Sequence, residues 1–335
     1  MVLSIQNRRY LGNKFKLRDF IKATVAHNCS DVGVIADIFS GTGAVASAFI
    51  DQIIITNDIL YSNYLCNMAW FGCESVRLEL LKDLVTTYNQ LNTASENYMT
   101  ENFTDTYFSK TDCSKIGEIR ENIECQYKAN VINERERAIL VTALIYAMDR
   151  IANTCGHYDS WRRGAIFDRH LILPMLNVPE KNNVRNSCFN ENANDLVKRI
   201  TADLIYIDPP YNSRQYSDTY HLLENVARWE KPSVQGVARK FNRANLKSDY
   251  CTSKATDAFK DLIANCNTRY ILLSYNNMAS KGNDRSNAKI SDEDIFSILG
   301  KKGVVEIFSK SYKPFSAGKS DIQENEERLF LCTVR

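Results

Sequence analysis

The sequence predicts an α/β fold, in which helices cover both faces of a mostly parallel sheet and a helical segment is inserted into it. Short apolar runs alternate with helical periodicity near both ends of the chain, whereas the middle shows helical periodicity alone. A chain of 335 residues fits one α/β domain with a sizeable insertion, or one large and one small domain. We predict a sheet domain over 1–60 and 186–335 and a helical insertion over 61–185.

The elements of the first half follow in order. "VGVIADIFSGTGAVASAFI" predicts a strand over 34–38, a glycine turn and the start of a helix. "QIIITND" predicts a second strand that ends at Asp58. "VRLELLKDLVTTYNQL" and "ERERAILVTALIYAMDRIA" repeat apolar residues at i, i+3 and i+4, which predicts two helices. The polar, aromatic-rich stretch between them has a helical second half.

Strands return after residue 190. "ADLIYID" and "RYILLSY" predict strands, and helical patterns lie in "SDTYHLLENVARW" and "KATDAFKDLIANC". "ISDEDIFSILG" predicts a helix with Ser291 as its N-cap and Glu293 near its first turn. "GVVEIFSKSY" and "ERLFLCTVR" predict two last strands, separated by a polar loop.

Composition narrows the class of protein. No apolar run approaches the roughly 20 residues that cross a bilayer, and the first residues lack a secretory apolar core, so we expect a cytoplasmic protein without a membrane partner. Ten scattered cysteines, without a C-x-x-C pair, predict reduced thiols and no metal site. The net charge of +2 hides basic segments, such as "NRRYLGNKFKLRDFIK" with six bases and one acid. Such a segment could bind a polyanion or could form an ordinary solvent-exposed face.

The glycine turn is the first candidate site. Gly41 and Gly43 stand where a strand turns sharply, and glycine lets a ligand approach the backbone closely. Asp58, at the tip of the next strand, could bond ribose hydroxyls. The spacing suits NAD, S-adenosylmethionine or a merely tight turn. Asp37 favours S-adenosylmethionine, since a carboxylate there repels a pyrophosphate but attracts an ammonium or sulfonium.

The second candidate site is "DPPY", which follows an apolar strand. The Asp208 carboxylate and the Pro209 carbonyl can accept two hydrogen bonds, while Pro209 and Pro210 fix the backbone. Tyr211 offers a face on which a base can stack. This set complements the exocyclic amino group of adenine, whereas a serine in place of Asp208 would also fit cytosine. Alone, the segment could equally be a turn; joined to the glycine turn, it predicts methylation of a flipped base.

With these residues the chain resembles the Dam-like, alpha-group N6-adenine-specific DNA methyltransferase family. The resemblance rests on "RRYLGNKFKL", "DIFSGTGAVA", "ITND", "LIYIDPPYNSRQYSDTYHLLE" and, more weakly, "SYNN". It implies the Rossmann-like, seven-stranded fold of S-adenosylmethionine-dependent methyltransferases, with a final antiparallel hairpin. It also implies a helical target-recognition region inserted before D-P-P-Y, so that 1–60 and 186–335 form the catalytic domain.

The resemblance also implies roles for individual residues. The catalytic set would be Asp208, Pro209, Pro210 and Tyr211. The cofactor-binding set would be Tyr10, Lys14, Asp37, Phe39, Ser40, Gly41, Gly43, Asp58 and Asn192. In this set Lys14 would meet the methionine carboxylate and Tyr10 would line the pocket.

Two parts of the chain depart from the family pattern. Where the family has an acid that contacts the cofactor's adenine, this sequence offers Asn192 or Asp195, and a helix cap explains both equally well. The target-recognition region has no firm counterpart. Within it Arg162 and Arg163 could contact phosphates or guanine edges, or only water.

The expected function is site-specific DNA adenine methylation, with double-stranded DNA as the partner and a cognate restriction endonuclease implied by a restriction–modification pair. The alternatives are methylation of RNA, methylation of a protein amide, a catalytically silent DNA-binding relative, and a dehydrogenase. Amide methyltransferases typically carry Asn at the first position of D-P-P-Y, and a dehydrogenase has no use for that segment. These features disfavour both.

Overall fold

The structure is a computed structural model, and it describes residues 5, 8, 10–154, 156–276, 288–311 and 326–335. Some parts of the sequence motifs lie outside these residues: Asn7 and Arg9 in the first basic segment, Asn277 in "SYNN", Tyr312 at the end of "GVVEIFSKSY", and most of the polar loop before the last strand. No helix among the described residues is long and apolar enough to cross a membrane.

One sheet contains seven strands of the described residues, in the order β3-β2-β1-β4-β5-β7-β6. They are β1 (Val34–Asp37), β2 (Ile53–Asn57), β3 (Ser187–Phe189), β4 (Ala202–Ile207), β5 (Thr268–Asn276), β6 (Gly303–Ser311) and β7 (Glu326–Val334). β1 runs parallel to β2 and β4, and β4 runs parallel to β5. β7 is antiparallel to both β5 and β6. The mostly parallel sheet with a final antiparallel hairpin is therefore confirmed. β3, with three half-buried residues, is too short to show a pattern in the sequence.

The α-helices of the described residues are α1 (Arg18–Asn28), α2 (Tyr61–Phe71), α3 (Leu78–Gln90), α4 (Tyr98–Phe103), α5 (Lys110–Lys128), α6 (Glu134–Ile151), α7 (Ala193–Leu196), α8 (Tyr216–Thr219), α9 (His221–Arg228), α10 (Ala255–Asn265) and α11 (Asp292–Gly300). Ser291 caps α11 as expected, because its hydroxyl accepts the backbone N–H of Asp294 at 3.1 Å.

The prediction of an α-helix after the glycine turn is wrong. Only a 3₁₀ turn, Ala46–Phe49, forms there, with an i to i+3 bond from Ala48 N to Val45 O at 2.9 Å. Few residues lie between Gly43 and β2, which begins at Ile53, so the helical segment is short.

The chain divides into two compact units. The sheet unit comprises Gly12–Ile59, Phe189–Gln215 and Leu246–Arg335. The helical unit comprises the described part of Met1–Leu11, together with Leu60–Cys188 and Tyr216–Asn245. This division differs from the boundaries expected from the sequence, since Tyr216–Asn245 belongs to the helical unit. The physical reason is packing: α9 contacts α2 and α6 of that unit.

Each unit has its own apolar core. In the sheet unit, alternate residues of the strands, such as Ile205 and Ile207 in β4, pack against Phe259 of α10 and Leu299 of α11. In the helical unit α6 is the central helix, contacting α2, α3, α5 and α9. Most of its residues are buried on every side, which exceeds the single apolar stripe that the sequence indicates.

Candidate active site at the strand ends

The glycine turn and D-P-P-Y follow neighbouring strands. Asp37, the last residue of β1, is paired in register with Tyr206 of β4, and the N–H of Ile38 donates to the Tyr206 carbonyl at 3.3 Å. Parallel neighbours end at the same edge of a sheet, and ligands of open α/β sheets bind outside that edge. The two segments that the sequence singles out therefore emerge side by side within the sheet unit.

The glycine turn is held by the end of β2. Both the N–H and the hydroxyl of Ser40 donate to the Asn57 carbonyl at 2.9 Å. Gly41 donates its N–H to the Asp58 carboxylate at 2.9 Å, and Gly43 donates to the Ser40 carbonyl at 2.8 Å. Gly41 and Gly43 have φ angles of 51° and 79°, which residues with a Cβ rarely adopt. The two glycines are thus required by the backbone.

Asp37 is the unusual group of this edge. Its side chain is buried, and neither carboxylate oxygen makes a hydrogen bond of normal geometry with the described residues. Burial and the nearby Asp208 carboxylate raise the pKa of Asp37 well above its usual range, which the Ala46 and Phe39 backbone amides offset only in part. A buried, unpaired carboxylate is costly unless a cation meets it. The ammonium or sulfonium of S-adenosylmethionine would supply that cation, so the residues present fit this cofactor.

The tip of β2 is fixed by the chain that follows β3. Asn190 donates its side-chain amide to the carbonyls of Asp58 and Ile59, at 2.8 and 3.0 Å. Asn57 donates to the carbonyls of Ile38 and Glu191, each at 3.1 Å. Asp58 itself is buried, with one oxygen on Gly41. These bonds set the position of the carboxylate that the sequence assigns to a ribose.

Asp208 begins the D-P-P-Y corner and lies in a charged network. Lys14 Nζ lies 3.1 Å from an oxygen of Asp208 and 3.2 Å from one of Glu327, and Ser274 donates its hydroxyl to Glu327 at 2.7 Å. Burial raises the pKa of Asp208 to about 6, while Lys14 lowers it and Glu327 raises it further. Burial lowers the pKa of Lys14, but Asp208 and Glu327 outweigh this and leave it well above its ordinary value.

The rest of the corner combines an aromatic face with fixed backbone. Pro209 is buried, and Pro210 and Tyr211 are half-buried. The Tyr211 ring packs edge-on against Tyr275, with ring centroids 6.4 Å apart. The backbone carbonyl of Tyr211 accepts the N–H of Lys289 at 2.8 Å. Phe39, also half-buried, packs edge-on against Tyr250 at 5.2 Å. Both rings are therefore packed against the core of the sheet unit while keeping part of their surface accessible.

The structure places the alternatives Asn192 and Asp195 at a helix start. Asn192 is exposed and caps α7, since its side chain accepts the N–H of Asn194 at 2.9 Å. Asp195 is exposed and lies 3.4 Å from Lys198. Capping thus accounts for the contacts that Asn192 makes, as the sequence allowed.

Three expected site residues belong to the helical unit. Tyr10 stacks on Tyr220 with centroids 4.8 Å apart, and its hydroxyl accepts a hydrogen bond from Asn63 at 2.9 Å. Arg162 and Arg163 are exposed and line a cleft of about 370 Å³ beside the end of α6.

Sequence reasoning missed Glu327, Ser274, Asn57 and Asn190. A signal for Glu327 exists, because a carboxylate opens an apolar strand. Only an antiparallel β7 brings that end of the strand to the edge where the parallel strands end. Asn57 precedes Asp58 and Asn190 precedes Glu191, and in the sequence such asparagines look like ordinary turn residues.

The strand order, the reversed β7 and the two segments at one edge define the fold of S-adenosylmethionine-dependent methyltransferases. The particular family follows from comparison with known proteins. The chain belongs to the D12 class N6 adenine-specific DNA methyltransferase family, whose model matches residues 10–286.

Curated relatives agree with this family. The chain is 35% identical over 341 residues to the modification methylase StsI of Streptococcus sanguinis, covering 95% of this chain and 50% of that protein. It is 32% identical to the type II methyltransferase M.FokI of Planomicrobium okeanokoites, covering 96% and 52%. It is 30% identical to the type II methyltransferase M.NlaIII of Neisseria lactamica, covering 93% of each. The chain thus spans about half the length of the first two relatives.

Proposed function

We propose that this chain transfers a methyl group from S-adenosylmethionine to the N6 amino group of an adenine flipped out of double-stranded DNA. The observation that carries the proposal is a pair of carboxylates at neighbouring strand ends. Asp37, the last residue of β1, has no hydrogen-bond partner of normal geometry among the described residues, and Asp208, after β4, is bonded to Lys14. The first suits a cationic cofactor, and the second suits the amino group that receives the methyl.

The cofactor would bind along the glycine turn. Asp37 would face its cationic methionine end, the backbone of Gly41 and Gly43 would allow close approach, and Asp58 would meet the ribose. Phe39 and Ser40 flank these groups in the same turn, and Asn192 remains a candidate for the adenine. When bound, S-adenosylmethionine supplies an electrophilic methyl group on a sulfonium.

The D-P-P-Y corner would act on the target base. The Asp208 carboxylate and the Pro209 carbonyl would accept the two hydrogens of the amino group, which frees the nitrogen lone pair from the ring. As the nitrogen bonds to the methyl carbon and the carbon–sulfur bond breaks, positive charge develops on nitrogen. A fixed carboxylate stabilises this charge more in the transition state than in the ground state.

The surplus proton needs an acceptor. Since the pKa of Asp208 is raised only to about 6, most of its carboxylate is ionised at neutral pH and can take the proton from the methylated nitrogen. Lys14 would keep that carboxylate ionised and in place. Tyr211 would stack on the extruded base, and such a contact contributes roughly 1–3 kcal/mol toward the cost of flipping.

The same proposal extends to partners. Methylation of one sequence protects DNA from a nuclease that cuts the same sequence, so we propose a restriction–modification setting with a cognate restriction endonuclease. The names of the relatives, modification methylase and type II methyltransferase, support this setting. The protein would then act in the cytoplasm, where its DNA lies.

The test is Asp208→Ala. We expect methyl transfer to duplex DNA to be lost, because the amino group loses its acceptor, while the dissociation constant for S-adenosylmethionine stays within about threefold, a change below 1 kcal/mol. Transfer is measured with labelled cofactor on duplex DNA and on RNA, and cofactor binding by calorimetry. Near-normal turnover by the variant, or transfer to RNA alone, would contradict the proposal.

A further inference from the structure

A short hairpin stands out in the helical unit, outside the residues assigned above. Gln235 and Lys240 exchange two backbone hydrogen bonds, of 2.8 and 2.9 Å, which close a four-residue loop. Gly236 and Arg239 at the two ends of the loop have positive φ angles of 72° and 51°. Val237 at the tip is 68% exposed, and Arg239 is exposed as well. The hairpin therefore presents an apolar and a cationic side chain to its surroundings.

The tip is held by its backbone. Trp161 donates its indole N–H to the Val237 carbonyl at 3.0 Å, and Tyr107 donates its hydroxyl to the Ala238 carbonyl at 3.0 Å. Because the carbonyls at the tip are bonded to neighbours, the loop has a defined conformation without using its exposed side chains. A loop prepared in this way loses little conformational entropy on binding.

The charges of the hairpin fall into two kinds. Lys240 pairs with Asp159 at 2.6 Å, and Arg243, just beyond the hairpin, pairs with Asp218 at 2.6 Å. These two cations fasten the segment to the helical unit. Arg239 has no such acid, since its guanidinium makes no ion pair with any residue that the structure describes. The cation at the tip is thus left available for an external anion or acceptor.

The hydrogen bond from Trp161 links the hairpin to a second loop, which begins at Trp161. That loop carries Arg162 and Arg163 along the cleft described above, and Ile166 with 89% of its surface exposed. Asn153 fixes it by donating to the Arg162 carbonyl at 2.9 Å. We call residues 161–169 and 235–240 the two-loop surface. It combines cations with isolated exposed aliphatic side chains on backbone that is bonded in place.

We propose that the two-loop surface docks on duplex DNA and that the hairpin reads base edges, with Arg239 contacting a base; this rests on the proposed function. A phosphate backbone meets the arginines, and the major groove admits a two-stranded ribbon. The Arg239 guanidinium matches the two acceptors of guanine, and Val237 matches a thymine methyl group. An acidic protein is the alternative partner. It could pair with the arginines, but its binding would not require a narrow hairpin with an apolar tip.

The test is Arg239→Ala, with Arg185→Ala as the matched control, since Arg185 is an exposed arginine of the same unit outside the two-loop surface. Each protein is used to select duplexes from a random-sequence library by binding alone, so that the result does not depend on methyl transfer. We expect the wild type and Arg185→Ala to enrich one sequence. Arg239→Ala should lose preference at one or two positions and bind that sequence about 10- to 100-fold more weakly, as for a lost bidentate base contact.

Three outcomes of the selection would overturn the inference: no enrichment by the wild type, an unchanged preference in Arg239→Ala, or equal weakening on all sequences, which indicates a phosphate contact. Tighter binding to an acidic peptide than to duplex DNA would overturn it too. Failure of the proposed function would give a different result: the wild type would still select one DNA sequence, but it would not methylate that DNA. Equal melting temperatures of the two variants would show that the hairpin change leaves the fold intact.

Discussion

At the scale of single residues, the site depends on how three charged groups share one buried edge. Lys14 lies between Asp208 and Glu327, within 3.2 Å of both, so its single positive charge serves two carboxylates. The protonation of Asp208 is therefore set by the balance between an attracting cation and a repelling anion. This balance can be moved in either direction by one substitution.

Lys14→Met and Glu327→Gln should shift the pH dependence of methyl transfer in opposite directions. In the wild type the pKa of Asp208 is about 6, so the rate should fall as pH drops through that value. Without Lys14 the pKa of Asp208 rises, so the fall begins at higher pH; without the Glu327 charge it decreases, so activity extends to lower pH. Single-turnover rates against pH measure both shifts. Acid limbs that coincide in all three proteins would show that Asp208 does not carry the proton.

Asp37→Asn should make the ligand-free protein more stable and the cofactor weaker in binding. The folded pKa of Asp37 lies well above its unfolded value of about 3.9, so stability falls as pH rises between the two. An asparagine cannot ionise, so it removes this loss, and the variant should melt at a higher temperature than the wild type at neutral pH. Thermal melting and cofactor titration, with the exposed Asp51→Asn as control, measure both effects. Lower stability of Asp37→Asn at neutral pH would be evidence that the carboxylate has a partner.

At the scale of elements, helix starts depend on distant acceptors as much as on local caps. Leu60, the N-cap residue of α2, has no side chain that accepts a hydrogen bond. Instead, Glu224 of α9 accepts the N–H groups of Tyr61 and Ser62, each at 2.9 Å, and pairs with Arg228 at 2.7 Å. The fully buried Glu224 thus joins α9 to the first turn of α2 within the helical unit.

Glu224→Gln should lower the melting temperature by several degrees. The glutamine keeps the shape but turns an amide NH₂ toward a backbone N–H, which costs about 1–3 kcal/mol for an unsatisfied buried donor. The exposed neighbour Glu230, 4.0 Å from Arg228, provides the control, since Glu230→Gln should leave melting nearly unchanged. Similar melting temperatures for the two variants would exclude the capping by Glu224.

Much of the sheet could be predicted because each long strand is an apolar run between turn residues, as in "ADLIYID". The glycine turn and D-P-P-Y could be found for the same reason, since both follow such runs. Glu327 could not, because its place depends on pairing between β5 and β7, which lie far apart in the sequence. β3 and the 3₁₀ turn after Gly43 could not be predicted because they have only three and four residues, too few for a pattern to repeat.

At the scale of the whole molecule, local charge matters more than total charge. The chain carries 42 basic and 40 acidic residues, a balance that gives no hint of a polyanionic substrate. Most of the buried cations among the described residues are paired, such as Arg137 with Glu124, whereas Arg163 and Arg239 are exposed and are the cations that we propose for DNA. Although the compact units of the structure change near residues 60 and 186, the division predicted there stays a prediction. It could not anticipate that Tyr216–Asn245 joins the helical unit, because a helix after a strand has the same pattern in either unit.

The central claim is that the Asp208 corner presents the amino group of adenine to the methyl donor. The most direct test is to incubate genomic DNA with the protein and labelled S-adenosylmethionine, and then to map the modified base and its flanking sequence. We predict N6-methyladenine within one recognition sequence, and none with Asp208→Ala. Methylated cytosine, or the same adenine methylation by Asp208→Ala, would contradict the account.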